Sequence, residues 1–180
     1  MGSCASKYRN IQVRMKKVLP IAAILIAITM FIWTSNLDKQ SSLSSGVPDL
    51  ALEGHEEEII TLRNLDGPLV INSWASWCTF CKQELIDFKN LQEKFDDSVT
   101  IIAINRAESK EKSKEYTAQL GVEGSLLFLS DPDDSFYKSI DGFTMPETIF
   151  IDSSGELVSH KRGVMSFNEI EEKINQLVST

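Results

Sequence analysis

Apolar and polar positions divide the chain into an unbroken apolar run near its start, a polar connection, and a long region of short apolar stretches separated by turns. The run "VLPIAAILIAITMFIW", residues 18–33, carries no charge, and Thr34 and Ser35 extend it to about 18 residues, the short end of what crosses a bilayer as a helix. Pro20 falls in its first turn, where a missing N–H costs little. "NLDKQSSLSSG", residues 36–46, is serine-rich and aperiodic and reads as a flexible tether. "VPDLALEGHEEEIITL", residues 47–62, has two apolar stretches split by a polar turn containing Gly54, the pattern of a hairpin. "PLVINSW" (68–74) and "VTIIAIN" (99–105) are too short for helices and read as buried strands. Between them, Phe80, Leu85, Phe88, Leu91 and Phe95 recur at helical spacing, predicting an amphipathic helix over 79–95.

The rest continues the alternation. A charged helix runs from a Ser109 cap to Gly121, followed by a strand (125–130) and a short helix (133–140). Strands 147–152 and 156–163 are joined by the turn "SSG", and a helix over 166–178 closes the chain, with Ser166 and Glu169 placed as a capping box. Strands alternating with helices, then a hairpin and a last helix, predict an α/β fold with a mixed central sheet flanked by helices.

Charge sets the expected orientation. Lys7, Arg9, Arg14, Lys16 and Lys17 precede the apolar run with no acid among them, which puts the N-terminus in the cytoplasm and the rest outside. The run ends in bulky Phe31, Ile32 and Trp33 instead of a small-x-small cleavage site, so a retained signal anchor is expected. The expected organisation is a basic cytoplasmic N-terminus (1–17), a transmembrane anchor (18–35), a tether (36–46) and a folded extracytoplasmic domain (47–180). "MGSCAS" also fits an N-myristoylation pattern with Cys4 beside it, but that chemistry needs a eukaryotic cytoplasm and the helix already supplies an anchor. Cys4 is therefore read as an incidental thiol, divided by the membrane from the other two cysteines. From Asn36 onward there are 26 acidic and 13 basic side chains, because five of the 18 bases and none of the acids come earlier, a net charge of −13. A domain so acidic does not seek nucleic acid or anionic lipid.

The candidate chemistry lies in "WASWCTFCKQE", residues 74–84. Two cysteines at CxxC spacing serve a metal, a structural staple or a redox couple. Zinc needs four ligands, and the external domain adds only the isolated His55 and His160. A staple of this spacing closes too short a loop to remove much chain entropy. Redox use is the favoured of the three, although CxxC alone is only moderately specific. Cys78 falls where a buried strand meets a helix N-terminus, whose unsatisfied N–H groups stabilise a thiolate, the attacking species in disulfide exchange. Cys78 is thus the expected nucleophile, and Cys81, one turn on, the residue that resolves its mixed disulfide.

"INSWASWCTFCKQE" resembles the active-site segment of thioredoxin-fold proteins, and the form W-A-S-W-C-x-x-C-x-x-E resembles the TlpA-like branch, which includes the membrane-anchored reductases of cytochrome c maturation of the ResA and CcmG/DsbE type. "VPDLALEG", "LDGPLVINSWASWC" and "MPETIFIDSSGELV" follow the family's order and spacing, so the resemblance covers about residues 47–180. It implies a thioredoxin-like fold in which Pro146 is a cis-proline facing the disulfide, Met145 offers its backbone to an extended substrate, and Trp77 covers the disulfide and touches substrate. Glu84 matches the acidic residue of this branch. Either it is a partly buried carboxylate with a raised pKa that exchanges a proton with Cys81, or it is a solvated glutamate on the helix surface. Asn72 stands where thioredoxins carry a buried aspartate, and Thr79-Phe80 replaces the Gly-Pro of thioredoxin between the cysteines.

The resemblance implies a membrane-tethered, extracytoplasmic thiol-disulfide oxidoreductase that reduces protein disulfides, with the CxxCH motif of an apocytochrome c as a candidate substrate. Electrons would come from a membrane donor, and neither cofactor nor metal is needed. The competing readings are an oxidase or isomerase on the same scaffold and a non-catalytic adaptor.

Overall fold

The computed structural model describes residues 46–179. Cys4, the expected anchor and all but the last residue of the expected tether lie outside them. Among the described residues no helix is long and apolar enough to cross a membrane.

The short apolar runs pair into one seven-stranded sheet. Its strands are β1 (Ala51–Gly54), β2 (Ile59–Thr61), β3 (Leu69–Trp74), β4 (Thr100–Arg106), β5 (Leu127–Asp131), β6 (Glu147–Ile151) and β7 (Leu157–Arg162), in the order β2-β1-β5-β4-β3-β6-β7. The central strands β3, β4 and β5 are parallel and the outer pairings antiparallel, giving the expected mixed sheet. All six residues of β3 are buried, as its position between β4 and β6 requires. Successive side chains of β3 enter opposite cores: Val70 and Trp74 pack on one face, Leu69 and Ile71 on the other.

Among the described residues, four α-helices flank the sheet: α1 (Cys81–Phe95), α2 (Lys110–Leu120), α3 (Ser135–Ser139) and α4 (Phe167–Val178). Leu85, Phe88 and Leu91 of α1 and Ile170, Ile174 and Leu177 of α4 share the core cluster that contains Cys78 and Cys81, with Tyr116 and Leu120 of α2 packed against it. Phe136 belongs to α3 and lies in the opposite core. Each fully buried Leu or Phe on these faces contributes about 1.5–3 kcal/mol.

The sequence pattern needs two corrections in this region. The first apolar helix starts at Cys81, not residue 79, and Phe80, assigned above to its buried stripe, is 63% exposed because it precedes the first helical turn. The capping box of α4 is half formed: the Ser166 hydroxyl accepts from the Glu169 N–H, but the Glu169 carboxylate accepts from Lys161 instead of reaching back. The charged helix ends as its sequence indicates, with Ser109 accepting from the Lys112 N–H and Gly121 adopting the left-handed conformation (φ 67°) that terminates it.

Candidate active site

Strand β3 ends at Trp74, and the four residues from Ala75 to Cys78 turn the chain toward α1, with the Cys78 N–H bonded to the Ala75 carbonyl at 3.1 Å. Cys78 and Cys81 form a disulfide with Cα atoms 5.3 Å apart. The N–H of Cys81, the first residue of α1, is shared between the Cys78 carbonyl and Cys78 Sγ (3.2 Å each), so a donor at the helix N-terminus serves the first cysteine. Such a donor favours thiolate over thiol in the reduced pair. Both cysteines are buried, Cys81 more completely than Cys78.

The loop carrying Cys78 is held from the side. Glu108, between β4 and α2, accepts from the Ser76 N–H (2.7 Å), the Ser76 hydroxyl (2.6 Å) and the Asn105 amide (3.0 Å), and Lys112 Nζ lies 2.5 Å away. Burial alone would raise its pKa, but bonds from Lys112, Ser76 and Asn105 outweigh it and hold the carboxyl at about 2. Glu108 is absent from the expected site. Its partner Ser76 is 32 positions away, and the signal available in sequence is only that an acid lies two residues past the end of a buried strand.

Glu84 is fully buried, so the surface reading is wrong. It lies on the buried stripe of α1, one turn after Cys81, beside Leu85 and before Phe88. Its Oε1 accepts from the Met165 N–H (2.9 Å) and its Oε2 from Asn72 Nδ2 (2.9 Å). Removal from water drives the carboxyl pKa up to about 7. The bonds from Met165 and Asn72 oppose that rise, and the nearby Asp87 and Glu169 charges add to it.

The third component is the segment before β6. The Met145–Pro146 bond is cis. Met145 packs against the core cluster containing both cysteines, while its backbone N–H and C=O bond to no other described residue. Glu147, buried next to Pro146, accepts from the N–H groups of Phe143 (2.9 Å) and Thr144 (3.2 Å) and from Arg162 Nε (3.0 Å), tying this segment to β7. Trp77, Phe80 and Phe143 are 58%, 63% and 83% exposed, so three aromatic faces lie open on the loops that carry the cysteines and Met145. Among the described residues no group of three or more His, Cys, Asp or Glu side chains is placed to hold a metal ion.

A mixed sheet with a CxxC disulfide where β3 gives way to α1 defines the class: a thioredoxin-like thiol-disulfide oxidoreductase. More particularly, the chain belongs to the AhpC/TSA family, whose model matches residues 44–160. It is 27% identical over 159 residues to the thiol-disulfide oxidoreductase ResA of Bacillus subtilis, covering 86% of this chain and 88% of that one. It is 25% identical over 162 residues to the thiol:disulfide interchange protein DsbE of Xylella fastidiosa, covering 87% and 80%. The structure of MTB dsbF in its mixed oxidized and reduced forms superposes with a TM-score of 0.67 at 22% identity, covering 73% of this chain and 98% of that one.

Proposed function

We propose that the chain is a membrane-tethered, extracytoplasmic reductase of protein disulfides. The observation that carries this reading is the CxxC pair at a strand-to-helix junction with a buried carboxyl, Glu84, one turn behind it. In the reduced enzyme the Cys78 thiolate attacks one sulfur of a substrate disulfide. A Cys78–substrate bond forms, the substrate S–S bond breaks, and the other substrate sulfur departs with the electron pair. Cys81 gives its proton to ionised Glu84 and attacks Cys78 Sγ, forming the internal disulfide and expelling the second substrate thiolate, which Glu84 protonates. Two electrons have then passed to the substrate, and the enzyme is in the disulfide form described above. The free backbone of Met145 pairs with the extended substrate chain beside Pro146, and Trp77 covers the disulfide and touches the substrate.

The basic and apolar N-terminal pattern supports the tether and its orientation, with the catalytic domain outside the cell membrane. In that setting a membrane dithiol donor returns the electrons, and the resemblance to ResA and DsbE makes an apocytochrome c CxxCH motif the first substrate to test. Thr79-Phe80 between the cysteines leaves the direction to the redox potential. A value near about −270 mV supports a reductase and one near about −120 mV an oxidant.

The decisive experiment pairs two variants of the full chain. Cys78→Ser is expected to abolish disulfide turnover, and Cys81→Ser to accumulate mixed disulfides whose partners identify the substrates. Turnover that survives Cys78→Ser overturns the catalytic assignment, and a trapped set without CxxCH proteins overturns the cytochrome c part alone.

A further inference from the structure

Asn72 lies fully buried in β3, directly across from Thr148 of β6, and touches Glu84. Its Nδ2 donates to both Glu84 Oε2 (2.9 Å) and Thr148 Oγ1 (3.0 Å). Its Oδ1 is buried and has no hydrogen-bond partner among the described residues. With the Met165 N–H on Oε1, both oxygens of Glu84 receive donors. That arrangement satisfies a carboxylate but not a carboxylic acid, whose O–H also needs an acceptor. A buried hydroxyl without one is costly.

The missing acceptor is on the same side chain. The two ends of a carboxamide have nearly the same shape, so turning it over changes no packing but exchanges donor for acceptor. We propose that Asn72 is a two-state positioning residue for Glu84: its amide donates to the carboxylate, and turns over to accept the carboxyl proton when Glu84 is protonated. Thr148 follows without moving its oxygen, since a hydroxyl accepts in the first state and donates in the second. Each state leaves one end of the amide unpaired, Oδ1 in the first and Nδ2 in the second, so these costs oppose each other and the Glu84 proton decides the balance. The other charges facing Glu84 are Asp87 from its own helix and Glu169 from α4, which is paired with Lys161. Neither reverses from donor to acceptor as an amide does.

The inference deepens the reading of Glu84 as the proton carrier for Cys81, and it explains how a sealed carboxyl takes up and gives back a proton with a partner in each state. A fixed amide that only donates would stabilise the carboxylate alone.

The test follows the Glu84 carboxyl carbon and the Asn72 side-chain amide by NMR from pH 5 to 9, in the detergent-solubilised, oxidised full chain. In the native chain the Asn72 amide is expected to titrate with the Glu84 midpoint, and its protons to exchange their close contacts to Thr148 for contacts on the opposite side as pH falls. In Asn72→Ala both states lose a partner, so the Glu84 midpoint moves by less than about 0.5 pH unit. A fixed donor predicts a rise of about one pH unit or more, the size of a lost charge-assisted bond. Such a rise, or an Asn72 contact pattern constant across the native titration, overturns the proposal. The native titration needs no variant, so it stands even where Asn72→Ala fails to fold. Unchanged turnover in Glu84→Gln would remove the proton-carrier role while leaving the amide turn to be judged by NMR.

Discussion

Replacing Glu84 by glutamine should change how stability depends on pH, and the sign follows from the direction of the pKa shift. The folded protein holds the Glu84 proton up to about pH 7, whereas a glutamate in the unfolded chain loses it near 4.5. Between these values the folded state binds a proton that the unfolded chain has released, so the stabilisation is fully present below pH 4.5 and is lost as pH rises through 7. At 1.36 kcal/mol per pH unit the loss is about 3 kcal/mol across the window. Glutamine has no proton to lose, and its mismatched amide adds only a constant offset. The stability of Glu84→Gln minus that of the native chain should therefore rise by about 3 kcal/mol between pH 4 and pH 8, while the other titrating groups cancel in the difference. For a domain of this size that corresponds to roughly 10 °C in the relative Tm. The assay is denaturant or thermal unfolding of both oxidised proteins at half-unit pH steps. Curves that stay parallel, with the difference changing by less than about 1 kcal/mol, would refute the argument that burial governs this carboxyl.

Glu108 should show the opposite dependence. Its folded pKa of about 2 lies below the ordinary value, so its contribution is present above pH 4.5 and lost as pH falls toward 2. Glu108→Gln should remove roughly 1 kcal/mol of acid-limb dependence between pH 7 and pH 3, about half of what the shift allows in that window because the exposed Lys112 is screened, and the measurement is the difference in unfolding free energy between those two pH values. The paired truncations Trp77→Ala and Phe80→Ala should raise KM for protein disulfides by about tenfold, the usual effect of losing exposed aromatic anchors. Their rate with a small aromatic disulfide should stay within about twofold, and an equal loss on both substrates would place these rings in the chemistry instead of in binding. Protease added outside intact cells should degrade residues 47–180 of the full chain and leave the N-terminus protected, and the reverse pattern would invert the proposed orientation.

What the sequence made legible was whatever repeats at short range. Short continuous apolar runs bounded by turns exposed β3 and β4, and the helical spacing of Leu85, Phe88, Leu91 and Phe95 exposed α1. The junction that gives Cys78 its helix donor followed from placing those two elements in order. What stayed hidden depends on contacts that no local pattern records. Glu84 meets the Met165 N–H across 81 positions, Asn72 meets Thr148 across 76, and Ser76 meets Glu108 across 32. The helical period nevertheless held a signal that spacing from the cysteines did not use. Cys81, Glu84, Leu85 and Phe88 occupy one stripe of α1, so a carboxyl three residues from a buried cysteine and four from a buried phenylalanine falls on the core face. A carboxyl set among apolar residues on a buried helix face is costly to ionise, which makes its position informative. In Glu84 the burial that costs stability above pH 7 is what brings the carboxyl into the range where it can both take a proton from Cys81 and return it. The stability loss and the proposed proton transfer would thus have one cause, so a variant that restores stability at high pH by neutralising Glu84 should lose turnover by the same change.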